Sequence, residues 1–483
     1  MRFGQSLSRV LLLCVLLAPV CRGQVKLRWT QKKMPSAKSL GVSELAIPWN
    51  DGARALSETA HQQGYRVYLE VTDDQVAAAA ELSRTSWLSG LILSSAANEK
   101  SPTENMLRAL HAAHPKLDLV VLSPRGKQPQ MRGQLVYERN GVLQASSPTE
   151  QPWVDSNLAA VRLAEVFHPE SVPAYTFAWG AADSFQGQKG PGTADYCLAI
   201  GEAGAFHAEL ILELPEDLQK SLATNNPDAW AMWKQVKPCL VFNDHRNRNS
   251  LKPVSSVGVW TDNEASAYEA VNLMARHNIP VRVLPVGALS ARSLNGLDVL
   301  IVFASPTEEQ AGILSHFAEQ GGTVVLVNAH GKFPWQPGKA ARGNEQSVAY
   351  DVGQGRVFEL TGAVTNPETF AQDVRRLMHK QKVPLTLWNS LTTLVVPYRD
   401  TATGETVLEF LNYEAEPVQV QIQVRGSFKS IRFESPERGC CEVVAGTFAK
   451  GFTEFVVSKL VIGGRLRLQP MLGAKTSRDR KKP

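Results

Sequence analysis

The sequence predicts an α/β protein: a (β/α)8 TIM-type barrel, then a Rossmann- or flavodoxin-like α/β domain, then a small C-terminal β-sandwich. Three observations carry this reading. Short apolar runs alternate with segments of helical period from about residue 40 to 245, which is the pattern of parallel β/α architecture. The same alternation restarts at Val257. From about Leu385 the period drops to two and turn residues separate short runs, as expected of an antiparallel sandwich.

The elements follow in chain order. Arg2 and Arg9 precede the apolar run Leu11–Ala18, and Pro19 and a short stretch ending at Gly23 follow it. A charged start, a short apolar core and a small residue before the cut make residues 1–23 a secretory signal peptide. The run is too short to span a bilayer. Export is therefore expected, with the mature chain secreted or periplasmic. Cys21 invites a lipoprotein reading, but Ala18-Pro19-Val20 before it is a poor lipobox.

Residues 24–250 hold the barrel. The strand candidates are Glu44–Trp49, Arg66–Val71, Leu88–Ser94, Leu117–Leu122, Gln134–Gln144, Pro173–Trp179, Glu209–Leu214 and Pro238–Phe242. That count suits a TIM-type barrel near the small end of its size range. An open doubly wound sheet is the alternative. Helical candidates lie between the strands, among them Asp74–Arg84, Asn105–Ala113, Ser156–Phe167, Thr193–Ala205 and Asp228–Gln235.

Residues 251–384 form the second block. It runs from the strand Ser256–Trp260 through the helix Glu264–His277 to strands Val281–Leu284 and Leu297–Val302. The helix Glu308–Glu319, a stop at Gly321-Gly322 and the strand Thr323–Val327 complete it. Residues 385–470 alternate through Thr406–Asn412, Val418–Val424, Ser430–Glu434, Cys441–Val444, Phe452–Val457 and Arg465–Leu468. Residues 471–483 read as a basic, solvated tail.

Composition narrows the function. The formal charge of +5 comes from the two ends: the first 23 residues carry +3 and the tail from Gly473 carries +4, leaving the body at −2. A basic body suited to nucleic acid is absent. No second apolar stretch is long enough to cross a membrane. No G-x-G-x-x-G follows the first strand of the second block, and neither a P-loop nor G-x-S-x-G occurs, so no cofactor is expected. Of the mature chain's four cysteines, Cys197 and Cys239 could pair if their elements meet, and Cys440 and Cys441 are adjacent.

Two stretches carry a family resemblance. Leu297–Val302 with Phe317–Val327 is similar to a glutamine-amidotransferase-like module, and Leu408–Tyr413 followed by Pro417-Val418 is similar to the C-terminal domain of many glycosidases. With the domain order, they make the chain resemble the family-42 β-galactosidases, and also a group of secreted bacterial proteins with uncharacterised glycosidase-like barrels. The resemblance implies a catalytic barrel and a middle domain that assembles homo-oligomers. It also implies an Asn-Glu pair after the fourth strand and a glutamate after the seventh. The sequence departs from that pattern. Its fourth strand candidate ends Val120-Val121-Leu122-Ser123-Pro124-Arg125 with no acid, and Asn98-Glu99 lies earlier, in a loop. The middle block has no cysteine between Val257 and Gly362, which excludes a thiol glutaminase.

Retaining glycosidases work with two carboxylates about 5 Å apart, one as acid/base and one as nucleophile. In barrels such residues sit where strands end. Glu213 closes the buried run Ile211–Leu214 and is the candidate nucleophile, its alternative role being a turn cap. Glu70, near the end of the second strand candidate, is its candidate partner, or else binds an arginine inside the barrel. Candidate substrate-binding residues are Trp49 and Asp51 at the first strand end, Trp153 and Asp155, and Trp179, Asp183 and Gln186. Aromatic faces stack on sugar rings, while Asp and Gln bond hydroxyls. Trp49 could instead pack on the barrel wall, and Asp155 could instead cap the helix that follows. Trp230 and Trp233 read as core, and Asn243–Arg246 as a polar turn rather than a metal site. The expected ligand is a carbohydrate, either hydrolysed by these carboxylates or bound by a protein that has lost its acid/base.

Overall fold

Seven short parallel strands enclose the first core. The structure, a computed structural model, describes residues 24–471 except 95–103, 124, 127–129, 133–135, 140–141, 146–152, 170, 179–190, 245–249, 329, 338–339, 344–346, 389–390 and 415. The strands are β1 (Val25–Arg28), β2 (Glu44–Pro48), β3 (Arg66–Val71), β4 (Leu88–Leu93) and β5 (Asp118–Val121). After β6 (Gln130–Arg132), β7 (Val136–Arg139), β8 (Val142–Ala145) and β9 (Trp153–Asp155) come β10 (Ala174–Phe177) and β11 (Glu209–Glu213). The sheet order is β10-β11-β1-β2-β3-β4-β5. A parallel bridge between Leu122 and Ala174 joins its two ends, with Ser123 N–H donating to the Ala174 carbonyl at 2.8 Å. The sheet is a TIM-type barrel with seven strands among the described residues.

Three sequence expectations are corrected here. Val25–Arg28 is a barrel strand that the apolar pattern misses, because its inward residues Lys26 and Arg28 are charged. Gln134–Gln144 is not a barrel strand: β7 and β8 pair antiparallel with each other, and β6 with β9. Pro238–Phe242 lies in the helix Pro227–Asp244. Its buried residues Ala229, Trp233, Val236, Leu240 and Asn243 recur every three or four positions, the helical period. The short apolar run Cys239–Phe242 mimics a buried strand only when read alone. Trp233 is core as expected, fully buried with its indole N–H donating to the Leu40 carbonyl at 2.9 Å.

The second sheet begins after β12 (Leu251–Pro253). It contains β13 (Val257–Thr261), β14 (Val281–Pro285), β15 (Val299–Val302), β16 (Thr323–Leu326), β17 (Ala340–Gly343), β18 (Ser347–Val352) and β19 (Gly355–Leu360). Its order is β14-β13-β15-β16-β19-β18-β17, with the first five parallel and the last two antiparallel. The parallel part has the 2-1-3-4-5 order of flavodoxin-like sheets. Helices Glu264–Arg276 and Glu308–Glu319 cover it, capped by Asn263 and Thr307 side chains. Gly321, at φ 91°, turns the chain out of the second helix, a conformation that favours glycine.

The third layer is an antiparallel sandwich. Its strands are β20 (Leu385–Trp388), β21 (Thr393–Asp400), β22 (Thr406–Asn412), β23 (Val418–Arg425), β24 (Phe428–Ser435), β25 (Gly439–Val443), β26 (Gly446–Ala449), β27 (Phe452–Leu460) and β28 (Gly463–Pro470). One sheet runs β12-β21-β22-β28-β24-β25 and the other β20-β23-β27-β26. Leu408, Phe410, Val420, Ile422, Phe433, Phe455 and Leu466 fill the space between them. Strand β12, which precedes the middle sheet in the chain, belongs to this sandwich.

The sandwich also packs against the barrel. Leu394, Val396, Tyr398, Val407, Leu411 and Tyr413 enter the barrel's outer core with Tyr196, Ile200 and Phe206 of the helix Thr193–Phe206. Polar groups fix this junction. Arg162 donates to the Tyr398 hydroxyl at 2.7 Å, which donates to the Ala205 carbonyl at 2.7 Å. The fully buried Glu202 accepts from the Tyr413 hydroxyl at 2.6 Å and from Asn157 Nδ2 at 2.7 Å. Burial pushes the Glu202 carboxyl up to about 7, against the lowering effect of those hydrogen bonds.

Candidate functional site

Period-two alternation decides what the barrel strands offer its interior. Inward residues form three tiers. At the N-terminal floor, Lys26 Nζ lies 2.7 Å from Glu209 and 3.0 Å from Glu44, and all three are buried. Arg66 spans Glu44 at 2.8 Å and Asp118 at 2.9 Å. Tyr68 donates to Asp118 at 3.0 Å, and the Lys26 ammonium stands 4.5 Å from its ring centre. Burial first, then Glu44 and Asp118, hold the Tyr68 hydroxyl far above its usual pKa. Gly90 makes room for this tier: a Cβ there would lie 2.5 Å from the Asp118 carbonyl and 2.6 Å from the Tyr68 ring.

The middle tier is apolar: Ala46, Ile92, Val120, Ala174 and Ile211 close around Tyr68. It seals the lumen, so the barrel is a packed core and not a pore.

The third tier, at the C-terminal mouth, is polar again. Arg28, one step along from Lys26 on the inward face of β1, reaches two carboxylates. Its Nε donates to Glu70 Oε2 at 2.7 Å, and its Nη2 donates to Glu70 Oε1, making a bidentate grip. Its Nη1 donates to Glu213 Oε2. The exposures differ. The Glu70 side chain is 7% exposed and the Glu213 side chain 38%, so Glu213 is the carboxylate a ligand can reach. Burial alone would lower the Arg28 guanidinium, but Glu70 and then Glu213 outweigh it and raise its pKa.

The structure thus brings the two candidate catalytic carboxylates together, through an arginine that the sequence reading did not single out. Glu70 binds an arginine inside the barrel, which was one of its two readings. This geometry has a chemical consequence. An acid catalyst must present a proton on an oxygen facing the leaving group. Both Glu70 oxygens accept from Arg28, so in this arrangement Glu70 has neither oxygen free to do so. Glu213 has one oxygen held and half-open surroundings, which leaves it able to accept from a hydroxyl.

The remaining candidates scatter. Trp49 is half-buried and packs against the barrel's outer core, and its backbone N–H donates to the Glu70 carbonyl at 2.9 Å. Asp51 is exposed on the turn that follows. Trp153 and Asp155 are described by backbone only, in β9. Asp155 is not the helix cap: Asn157 stands at the N-cap of Leu158–Phe167. Trp179, Asp183, Gln186 and the Asn98-Glu99 pair lie outside the described residues. Cys197 and Cys239 are both free and buried, whereas Cys440 and Cys441 are bonded to each other. Arg28 was legible in principle, since Lys26 and Arg28 alternate with Val25 and Leu27.

No family model matches the chain, and no curated protein matches it in sequence. Solved structures do match it in shape. The α-L-fucosidase isoenzyme 2 from Paenibacillus thiaminolyticus superposes with a TM-score of 0.58 at 10% identity, over 93% of this chain and 100% of that one. The β-galactosidase from Bacillus circulans sp. alkalophilus gives 0.51 at 9% identity, over 93% and 99%. The polyextremophilic β-galactosidase from the Antarctic haloarchaeon Halorubrum lacusprofundi gives 0.50 at 10% identity, over 92% and 99%. This chain has a glycoside-hydrolase-like fold. The coverage extends that likeness over barrel, middle sheet and sandwich together. Identities this low carry the fold and not the residues, so the Arg28–Glu70–Glu213 cluster stands on its own geometry. Among the described residues, no helix is long and apolar enough to cross a membrane.

Proposed function

We propose that this chain is an exported protein of glycoside-hydrolase-like fold that seats a carbohydrate ligand at the C-terminal mouth of its barrel, around Glu213. The observation that carries this reading is the convergence of Glu70 and Glu213 on Arg28 at the strand ends, the place where barrel proteins build their sites. The solved proteins of the same shape bear the names of sugar-acting enzymes. Trp49 and Asp51 follow the β2 strand end, where an aromatic face and a hydroxyl acceptor suit a sugar. Trp153, Asp155, Trp179, Asp183 and Gln186 complete the proposed binding set. The capture of both Glu70 oxygens favours binding over turnover.

A second reading has one observation in its favour. Glu213 is an accessible carboxylate at the end of a barrel strand, suited to be the nucleophile of a glycosidase. Its acid/base would then be a group other than Glu70. One experiment separates the readings: a glycan panel tested for binding and for hydrolysis with the mature chain, beside Glu213→Gln. Binding without turnover, weakened in the variant, supports the first reading. Turnover abolished in the variant supports the second. No binding to any glycan, or equal behaviour of the two chains, sinks both. N-terminal sequencing of the exported chain checks the cut after residue 23, and light scattering checks assembly through the middle domain.

A further inference from the structure

Cys440 and Cys441 are joined by a disulfide on β25, the edge strand of its sheet. Disulfides stabilise chiefly by closing loops in the unfolded chain, and more so for longer loops. A bond between direct neighbours encloses no intervening residue and ties no two elements together, so a stapling role is excluded. Both cysteines are exposed, as are the other three residues of β25. The ladder pairs Phe433 with Glu442 and Ser435 with Gly439, so both cysteines stand opposite the single residue Glu434. Two residues against one is a β-bulge, a device that re-aims side chains at sheet edges.

The Glu434 carboxylate lies within 4.8 Å of both sulfurs. Its charge is partly offset by Arg465 at 2.9 Å, which also holds Glu409, and by Arg467 at 3.6 Å, which also lies near Glu405 and Asp400. Val443 on β25 is 77% exposed, and Phe448 on β26 and Val456 on β27, in the other sheet, are exposed as well. Exposed disulfides are the labile ones, and those that serve redox roles are drawn from them.

We propose that Cys440–Cys441 is a reversible thiol–disulfide exchange site whose partner is a dithiol reductant. A thiolate of the dithiol attacks one exposed sulfur, the Cys440–Cys441 bond breaks, and the released thiolate takes up a proton. The dithiol's second thiolate then attacks the mixed disulfide. The dithiol leaves as a disulfide, having given two electrons and two protons to the pair. This chemistry is separate from the barrel mouth and does not depend on what binds there. The chain's other cysteines supply an internal control. Cys197 and Cys239 are buried, and a hydrogen bond with Cys197, together with burial, holds the Cys239 thiol far up, so neither labels in the folded protein.

Iodoacetamide labelling of the folded mature chain, read by intact mass and peptide mapping, tests this. The expected result is no label before reduction, one each on Cys440 and Cys441 after dithiothreitol, and none again after reoxidation with oxidised dithiothreitol. Two outcomes overturn the proposal: labels on both residues without reductant, or none on the reduced folded chain while the denatured chain labels at all four cysteines. In Cys440→Ser, Cys441 is expected to label without reductant. Failure to do so would show the site closed to reagents, and would equally overturn the proposal.

Discussion

Arg28 and Glu213 are register partners on adjacent parallel strands, and the Arg28 guanidinium donates to the Glu213 carboxylate. The same guanidinium grips Glu70 on β3 with two donors. One arginine therefore orders the mouth of the barrel across strands β11, β1 and β3, although β3 is not its neighbour in the sheet. Removing it leaves the Glu70 side chain, only 7% exposed, without its guanidinium. Arg28→Ala is expected to destabilise the chain by about 3 kcal/mol, as for other broken buried pairs. Arg28→Lys should recover part of that, because an ammonium is a point charge that cannot grip a carboxylate bidentately. Urea unfolding midpoints check both. An Ala variant as stable as the parent would mean that the grip contributes nothing.

Glu213 should separate function from stability. Its side chain is 38% exposed and held by a single donor. Glu213→Gln is expected to change stability by less than about 1 kcal/mol, as for half-exposed ion pairs. Binding of whichever glycan the parent chain recognises should weaken by about tenfold or more, equivalent to roughly 1.4 kcal/mol. Calorimetric titration beside a melting curve reads both effects. A variant that binds normally would move the ligand away from Glu213.

Lys26 should behave in the opposite way. It is fully buried between Glu44 and Glu209 at the barrel floor. Lys26→Met fills the same space but leaves the buried Glu209 without its cation, while Glu44 keeps Arg66, and the expected loss is about 3 kcal/mol. The double variant Lys26→Met/Glu209→Gln removes the stranded charge and should restore part of the loss. The comparison of single and double variants checks whether the floor acts as a coupled network. Strict additivity would count against it.

The sandwich was the most legible part of the chain. Val418–Arg425 and Phe428–Ser435 bury alternate residues, so period two shows through there, and Thr406–Asn412, buried on nearly every residue, still falls where the pattern puts it. The parallel strands of the middle sheet read almost as well, because Val299–Val302 and Thr323–Leu326 are buried throughout. The barrel was harder for a physical reason. Its lumen carries ion pairs at floor and mouth, so β1 places charge inward and apolar residues outward, the reverse of the usual cue. Glu70 and Glu213 were visible as carboxylates closing apolar runs. The alternation around Arg28 marks a strand face, but its partners lie 42 and 185 residues away, so the cluster it ties together does not show in the sequence.

Glu202 gives the junction between barrel and sandwich a pH dependence whose sign follows from its surroundings. Burial raises its carboxyl from 4.5 to about 7 in the fold. The native state therefore binds the proton more tightly than the unfolded chain does, and stability attributable to this group falls as pH rises. That contribution is fully present below about pH 4.5 and is lost as pH climbs through about 7, a change on the order of 3 kcal/mol. Glu202→Gln keeps an acceptor for Asn157 Nδ2 and resembles the protonated acid, so it should lack this slope. The expected outcome is a variant whose stability relative to the parent improves steadily from pH 5 to about pH 8. Denaturant titrations of both chains across that range make the comparison. Parallel curves would show that Glu202 stays ionised in the fold, held by Tyr413 and Asn157 strongly enough to cancel its burial.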